Sequence, residues 1–221
     1  MKFKPNYFNT QEAKIHKIVR SNGKEYTIRE DKLRFFFPDE WMAFYDQLKP
    51  KQKITFEFLI NTGARINEVR GIKVADIDFN RNSIIIRNTK ARNKDGTRKI
   101  RVISISNKFK KYLKHLVKKL NLKLEDKFPI LSTPAANIAM KKALEKAKIK
   151  DKENFTVHSV RKTLEVWLLS LGIDSMKVAK HMGHTIEVAQ KYYVSPDTFN
   201  WEDKRMMRQI IGGLYGEVQT M

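Results

Sequence analysis

The sequence predicts an α+β fold, in which a mostly helical domain carries one small antiparallel β-sheet. Three observations support this prediction. Apolar residues recur at helical spacing through most of the chain. Two short β-rich runs, SIIIRNT and KIRVISIS, flank a polar loop that contains Asp95-Gly96, a pair that favours a hairpin turn. Strands and helices do not alternate along the chain, which argues against the doubly wound folds that bind dinucleotide cofactors.

The elements before the sheet are marked by turn and breaker residues. Residues 1–37 are predicted to form a basic extension, where alternating apolar residues around Asn22-Gly23 indicate a β-hairpin. A helix begins at Pro38 and ends before Pro50, since proline suits the first turn of a helix and not its interior. The next helix, KQKITFEFLINTG, ends at its glycine, a residue that suits a helix C-terminus.

A short helical segment and a turn lead into the sheet, and further helices follow it. Ile66, Val69 and Ile72 lie at helical spacing, and residues 76–78 are predicted to form a turn. After the hairpin the apolar spacing predicts helices over residues 107–124, 135–148, 156–171, 174–183, 185–193 and 201–214, with a loop over 128–134.

The charge of the chain points to a polyanionic partner. Lys and Arg number 45 against 24 Asp and Glu, so the net charge is +21 over 221 residues. Nucleic acid is the leading candidate because each neutralised phosphate releases condensed counterions, although a merely solvated basic surface is the alternative. No apolar run is long enough for a transmembrane helix, and the amino end lacks a secretory signal. The absence of cysteine excludes disulfides, thiol nucleophiles and cysteine-ligated zinc.

The motifs of common enzyme classes are missing from the sequence. It contains no phosphate-binding G-x-x-x-x-G-K-[ST], no G-x-G-x-x-G and no H-E-x-x-H. His181 and His184 lack the acidic or cysteine neighbours of a zinc site, so we expect neither a metal nor another cofactor. The remaining candidates are cations and hydroxyls that suit a phosphate: Arg65, Lys90, His158, Arg161, His184 and a tyrosine, Tyr192 or Tyr193.

Each of these residues alone has an ordinary structural explanation, such as a solvated lysine or a buried histidine. Together they can perform phosphoryl transfer. Arginine and histidine donors can surround a phosphodiester and stabilise the charge that develops on its oxygens. A tyrosine hydroxyl can attack the phosphorus, and a lysine can protonate the leaving 5′-oxygen.

Four segments resemble, in chain order, the boxes of the tyrosine recombinase (phage integrase) family: FLINTGARINEVRGIKVADID, NTKARNKDGTRKIRVISIS, HSVRKTLEVWLLSLGI and KHMGHTIEVAQKYYVSPD. The positions that match the family's motifs are Arg65 with Glu68, Lys90, His158 with Arg161, and His184. The resemblance covers residues 38–200 and implies a tyrosine recombinase/integrase catalytic core. The tail, residues 201–221, is expected to pack either on a neighbouring protomer or on its own domain.

The nucleophile is assigned by counting from the Gly-His box. The family's tyrosine usually lies nine residues after the histidine, which gives Tyr193 without a gap. Matching IEVAQKY to the run Ile-x-x-Thr-x-x-Tyr gives Tyr192 instead, with one residue deleted. We prefer Tyr193. The two side chains would point about 100° apart on a helix, so only one can face the phosphate.

The resemblance implies a site-specific DNA recombinase that works through a 3′-phosphotyrosyl intermediate without metal or ATP. A type IB topoisomerase and a catalytically silent DNA-binding member of the fold are the alternatives. The implied partners are double-stranded DNA and three further copies of the chain, which form a homotetramer on two DNA sites and associate only weakly without DNA. No membrane partner is implied. The implied location is cytoplasmic and nucleoid-associated, in a prokaryote or from a virus or plasmid. Residues 1–37 are too short for the family's usual helical core-binding domain, so either a catalytic-domain fragment or a naturally minimal member is expected.

Overall fold

The computed structural model describes residues 15–19, 25–29, 34–87, 96, 99–185 and 198–215. The chain forms two compact units, one before Arg34 and one from Arg34 onward. In the first unit, β1 (Ile15–Val19) pairs antiparallel with β2 (Glu25–Arg29), with Val19 opposite Glu25.

The second unit is predominantly helical, which together with its small sheet confirms the predicted fold class. Its helices are α1 (Pro38–Asp46), α2 (Pro50–Thr62), α3 (Ile66–Val69), α4 (Asn107–Leu120), α5 (Thr133–Lys146), α6 (Val157–Ser170), α7 (Ser175–Met182) and α8 (Trp201–Ile211). Within the described part of the chain, no helix has the length and apolar character needed to cross a membrane.

The sheet has three strands in the order β3-β4-β5, all antiparallel, and it contains the predicted hairpin. Its strands are β3 (Ile77–Asp78), β4 (Ser83–Ile86) and β5 (Arg101–Ser104). The turn predicted over residues 76–78 is therefore wrong in part, because Ile77 joins the sheet opposite Ile84 and buries its side chain there. Ile84 also lies opposite the buried Ile103, so the alternating apolar residues of the hairpin face the core.

Helix ends differ from the predictions where capping residues take over. The helix expected over 107–124 ends at Leu120 because Asn121 adopts a left-handed conformation (φ 51°) and closes the last turn. The helix expected from residue 135 begins at Thr133, since the Ser132 hydroxyl accepts a hydrogen bond from Ala135 N and caps the first turn. The helix predicted over 185–193 lies outside the described residues, apart from its first position, which is not helical.

Residues 34–37, which the sequence suggested were part of the extension, belong to the helical unit. Phe36 is fully buried, and its ring centroid lies 4.4 Å from that of Phe155. The Phe36 N–H donates to Thr163 Oγ1 at 2.9 Å, and Trp167 Nε1 donates to the Phe36 carbonyl at 3.0 Å. Both side chains belong to α6, so this segment is fixed to the central helix of the unit.

The carboxyl-terminal helix packs on its own domain. Met207 and Ile211 of α8 are buried, and the helix lies against α1 and α6. At its end, Lys108 Nζ of α4 donates to the carbonyls of Gln209 and Ile210. The described part of the tail, residues 201–215, thus packs within its own chain, and docking on a neighbouring protomer stays a prediction.

Candidate active site

The turn after α2 places Arg65 beside α7. Gly63 ends α2 in a left-handed conformation (φ 58°), and a Cβ atom there would lie 2.7 Å from Met182 Sδ. A side chain at this position would displace the end of Met182, and the left-handed backbone also favours glycine. Arg65 then starts α3, with its N–H donating to Glu68 Oε2 at 2.8 Å and its Nη1 to Oε1 at 3.2 Å. The Arg65 side chain remains 34% exposed, so its guanidinium is accessible to a ligand.

Glu68 joins Arg65 to a second arginine, Arg101, which the sequence analysis missed. Arg101 Nη1 and Nη2 donate to the two Glu68 carboxylate oxygens at 3.1 and 2.9 Å. Burial by itself would raise the pKa of Glu68, but the bonds and charge of Arg101, with those of Arg65, lower it. Glu68 is therefore an ionised carboxylate that orients two guanidinium groups.

Arg101 reaches this position because of its place in β5. It shares a face with Ile103, two residues later, and that face is buried. An arginine on the core side of a strand needs a carboxylate partner, so the alternation in KIRVISIS is a signal that could have indicated a role for Arg101. Gly183 at the end of α7 (φ 73°) lies directly over it, since a Cβ there would be 3.0 Å from Arg101 Cδ.

Arg161 is the buried centre of the site. It lies on α6 with 4% exposure, and its Nη1 and Nη2 donate to the carbonyls of Gly63 and Met182, each at 2.5 Å. Burial, with the nearby charges of Arg65 and Arg101, lowers the pKa of Arg161 to about 10, so the side chain is still a cation at neutral pH. The guanidinium therefore ties the end of α2 to the end of α7.

His158, one turn before Arg161 on α6, shares a cavity with both arginines of the sequence motifs. The cavity of about 330 Å³ is lined by Arg65, His158 and Arg161, together with the hydroxyls and amides of Thr133, Asn137 and Thr156. Burial and then the charges of Arg161 and Arg65 lower the pKa of His158, so its ring is neutral at neutral pH. Two guanidinium groups with a neutral imidazole and neutral donors suit a phosphate.

His184 lies beside the cavity but does not line it. Its Nε2 is 2.9 Å from Glu165 Oε1, and its Nδ1 is 3.1 Å from the Thr185 carbonyl oxygen. Met182, two residues before it, accepts a bond from Arg161. Of the predicted site residues, the structure thus brings three to one cavity and a fourth to its side. Lys90, Tyr193 and the alternative Tyr192 lie outside the described residues.

His181 forms a second link between α2 and α7. Its Nε2 donates to the Thr62 carbonyl at 3.0 Å, since a carbonyl only accepts, and its Nδ1 accepts from the Tyr215 hydroxyl at 2.6 Å. Burial lowers the pKa of His181 to about 4. Both ring nitrogens are therefore bonded within the protein, so His181 helps to hold the end of α2 against α7.

Comparisons with known proteins agree with this fold. A profile of the Phage integrase family matches residues 35–198. Tyrosine recombinase XerA of Saccharolobus solfataricus is 30% identical over 145 residues, which cover 65% of this chain and 46% of that protein. The chain thus spans just under half the length of this relative.

Solved structures share the architecture of the chain at low identity. The XerA recombinase crystal structure aligns with a TM-score of 0.58 and 20% identity, covering 80% of this chain and 64% of that one. The Tn1549 transposon integrase in complex with circular intermediate DNA aligns with a TM-score of 0.60 and 19% identity, covering 82% and 69%. The catalytic domain of bacteriophage HP1 integrase aligns with a TM-score of 0.55 and 19% identity, covering 73% and 87%. With its family profile spanning most of the helical unit, the chain belongs to the Phage integrase family and has the fold of a tyrosine recombinase catalytic domain.

Proposed function

We propose that this chain cuts and rejoins DNA strands as the catalytic part of a site-specific tyrosine recombinase. The observation that carries the proposal is the convergence of Arg65, His158 and Arg161 on one cavity. Family membership supports it, as do similar proteins whose structures contain DNA, among them the Tn1549 integrase. The net charge of +21 suits a DNA backbone.

Two arginines would hold the scissile phosphate in fixed positions. Arg161 is anchored by two backbone carbonyls and Arg65 by Glu68, so neither guanidinium needs to reorganise when charge develops on the phosphate oxygens. Preorganised donors of this kind supply much of the stabilisation of such transition states. His184 would add a further donor from the side of the cavity.

In the proposed step, the Tyr193 oxygen bonds to the phosphorus and the bond from phosphorus to the 5′-oxygen breaks. Lys90 gives a proton to the leaving 5′-oxygen, and the neutral His158 accepts the proton of the tyrosine hydroxyl. A 5′-hydroxyl of a partner strand then reverses the reaction. The phosphodiester bond is exchanged for a phosphotyrosyl bond, so the sequence of steps needs neither ATP nor a metal ion.

The assembly follows from the reaction. Exchange between two DNA sites requires four strand cleavages, so we propose a homotetramer on double-stranded DNA that associates weakly without it. We further propose that the protein works on DNA in the cytoplasm of a prokaryotic cell, associated with the nucleoid, or is encoded by a virus or plasmid.

Trapping of a covalent DNA adduct tests the proposal. Sequencing of DNA trapped from a random library first identifies a target, and a nicked suicide substrate of that sequence then measures cleavage. Wild-type protein and Tyr192→Phe should form the adduct, whereas Tyr193→Phe should not, because it loses the attacking hydroxyl and keeps the ring. Loss only in Tyr192→Phe would move the nucleophile by one residue, and an adduct in the double variant would contradict the mechanism.

The same DNA separates the alternatives. Relaxation of supercoiled DNA without exchange between two sites would indicate a topoisomerase. Tight DNA binding without any adduct would indicate a catalytically silent member of the fold.

A further inference from the structure

The Glu68 carboxylate is filled by donors from two arginines. Its Oε1 accepts from Arg101 Nη1 at 3.1 Å and from Arg65 Nη1 at 3.2 Å. Its Oε2 accepts from Arg101 Nη2 at 2.9 Å and from the Arg65 backbone N–H at 2.8 Å. A carboxylate offers about four acceptor sites, so these bonds use its whole capacity. The Glu68 side chain is only 1% exposed, which keeps water from competing for them.

Arg101 determines how Arg65 meets this carboxylate. An arginine beside a carboxylate frequently binds it as a fork, with two nitrogens on two oxygens. Here Arg101 forms that fork, and the Arg65 guanidinium bonds Oε1 through Nη1 alone. Its Nε and Nη2 are therefore left free of Glu68. Because Arg65 lines the cavity and is partly exposed, these nitrogens can reach a phosphate oxygen.

The same arrangement leaves positive charge beside the cavity. The charges of Arg65 and Glu68 alone would cancel. Since one ionised carboxylate is shared between two guanidinium groups, two positive charges and one negative charge leave one positive charge. In a partly buried site water screens this charge weakly, so it favours an anion and the charge that develops on it.

The position of Arg101 is set by the fold and not by the cavity. Its backbone lies in β5 opposite Ile86 of β4. Its side chain, 13% exposed, extends beneath the last turn of α7, where a Cβ atom on Gly183 would lie 3.0 Å from Arg101 Cδ. Arg101 is not among the residues that line the cavity, so any effect on a bound phosphate must pass through Glu68 and Arg65.

We propose that Arg101 is a positioning residue for the reaction, which occupies both oxygens of Glu68 and so keeps the Arg65 guanidinium turned toward the phosphate. Without Arg101, each carboxylate oxygen would lose a donor, and Arg65 would rotate to form the fork itself. Its nitrogens would then be spent on Glu68. The catalytic consequence rests on the proposed function, whereas the orientation of Arg65 does not.

The orientation of Arg65 is tested without DNA, by crystal structures of wild type and Arg101→Met. Methionine keeps an unbranched side chain beneath Gly183 and removes the guanidinium. In wild type the Arg65 guanidinium should bond Glu68 through Nη1 alone, and in the variant it should bond both oxygens through two nitrogens. An Arg65 that is already forked in wild type, or that keeps its wild-type position in the variant, would overturn the proposal.

The catalytic consequence is tested with the nicked suicide substrate in single turnover, over a series of protein concentrations. Loss of one fixed donor costs roughly 10²–10³-fold in rate, so a misplaced one in Arg101→Met should lower the maximal cleavage rate about tenfold or more. The protein concentration at half-maximal rate should stay within about threefold of wild type, because one phosphate contact among many is affected. A loss of affinity with an unchanged maximal rate would overturn the catalytic role.

Two further variants distinguish positioning from a general structural defect. In Arg65→Lys protein, the change Arg101→Met should lower the maximal rate by less than about threefold, because the residue that it positions is already altered. Arg81→Met removes an exposed arginine that pairs with Asp78 of the same sheet, and it should leave the rate unchanged. An equal loss from Arg101→Met in both backgrounds would overturn a role through Arg65.

The outcomes separate the two proposals. If wild-type protein forms no adduct, the proposed function fails, and the crystal structures still decide whether Arg101 orients Arg65. If Arg101→Met does not fold, as thermal unfolding would show, Arg101→Lys replaces it. Lysine keeps the positive charge but cannot bind two oxygens as a fork, so Arg65 should take the oxygen that lysine leaves. An Arg65 that does not move in this variant would overturn the proposal.

Discussion

Acidification should destabilise the protein through His181. The folded ring has a pKa of about 4 because it is buried, whereas the ring in the unfolded chain titrates near 6.5. Between these values the unfolded state binds more protons, so the free energy of unfolding falls as the pH falls below about 6.5 and the loss is complete near pH 4. The difference of about 2.5 units corresponds to about 3 kcal/mol from this one residue.

The measurement is urea denaturation of wild type and His181→Gln over a series of pH values. Other groups titrate in both proteins, so the difference between the two curves isolates His181. At pH 7 the variant should be less stable, because the bonds to Thr62 and Tyr215 are altered. That disadvantage should shrink by about 3 kcal/mol towards pH 4. His115→Gln, at an exposed position of α4, should show no such change. A wild-type–variant difference that stays constant within about 1 kcal/mol would refute the reasoning.

Three other outcomes are expected. Cleavage should persist in excess EDTA, because the proposed donors are guanidinium and imidazole groups, and an absolute requirement for Mg²⁺ would contradict this. If about six phosphates are contacted, a plot of the logarithm of DNA affinity against the logarithm of salt concentration should have a slope near −5. Fluorescence anisotropy measures the affinity. A slope near zero would exclude the basic surface as the main determinant of DNA binding. Arg161→Ala should lower cleavage by a factor of about 10² or more, while DNA affinity stays within about tenfold of wild type. Because Arg161 also bonds the carbonyls of Gly63 and Met182, the stability of the variant is measured by unfolding as a control. Cleavage at the wild-type rate would disprove the role of Arg161.

Local sequence signals predicted most of the fold. Helical spacing, Pro38 at the start of α1, Pro50 as the stop of that helix, and the β-rich runs around Asp95-Gly96 are properties of neighbouring residues, and they led to the correct fold class. The third strand was not predictable, because Ile77–Asp78 becomes a strand only by pairing with β4. The end of α4 was missed because a left-handed Asn121 was not recognised as a stop signal.

The sequence motifs pointed to residues that the fold brings together, but not to the groups that orient them. Arg65, His158 and Arg161, which the resemblance implied as site residues, line one cavity, and their catalytic roles stay a prediction. Arg101 binds Glu68 across 33 positions of the chain, and Glu165 meets His184 only because α6 packs against α7. Such pairs depend on tertiary packing, which no local pattern encodes.

The attachment of Phe36 to α6 determines where this domain can be joined to another. Its N–H and carbonyl are bonded to Thr163 and Trp167, on the same helix as His158 and Arg161. A chimera or truncation that begins at Pro38 would strip these bonds from the helix that carries the site. One that begins at Arg34 would leave them intact. The boundary before Arg34 is therefore the position at which a preceding segment can be fused or exchanged without breaking the bonds that hold residues 34–37 to α6.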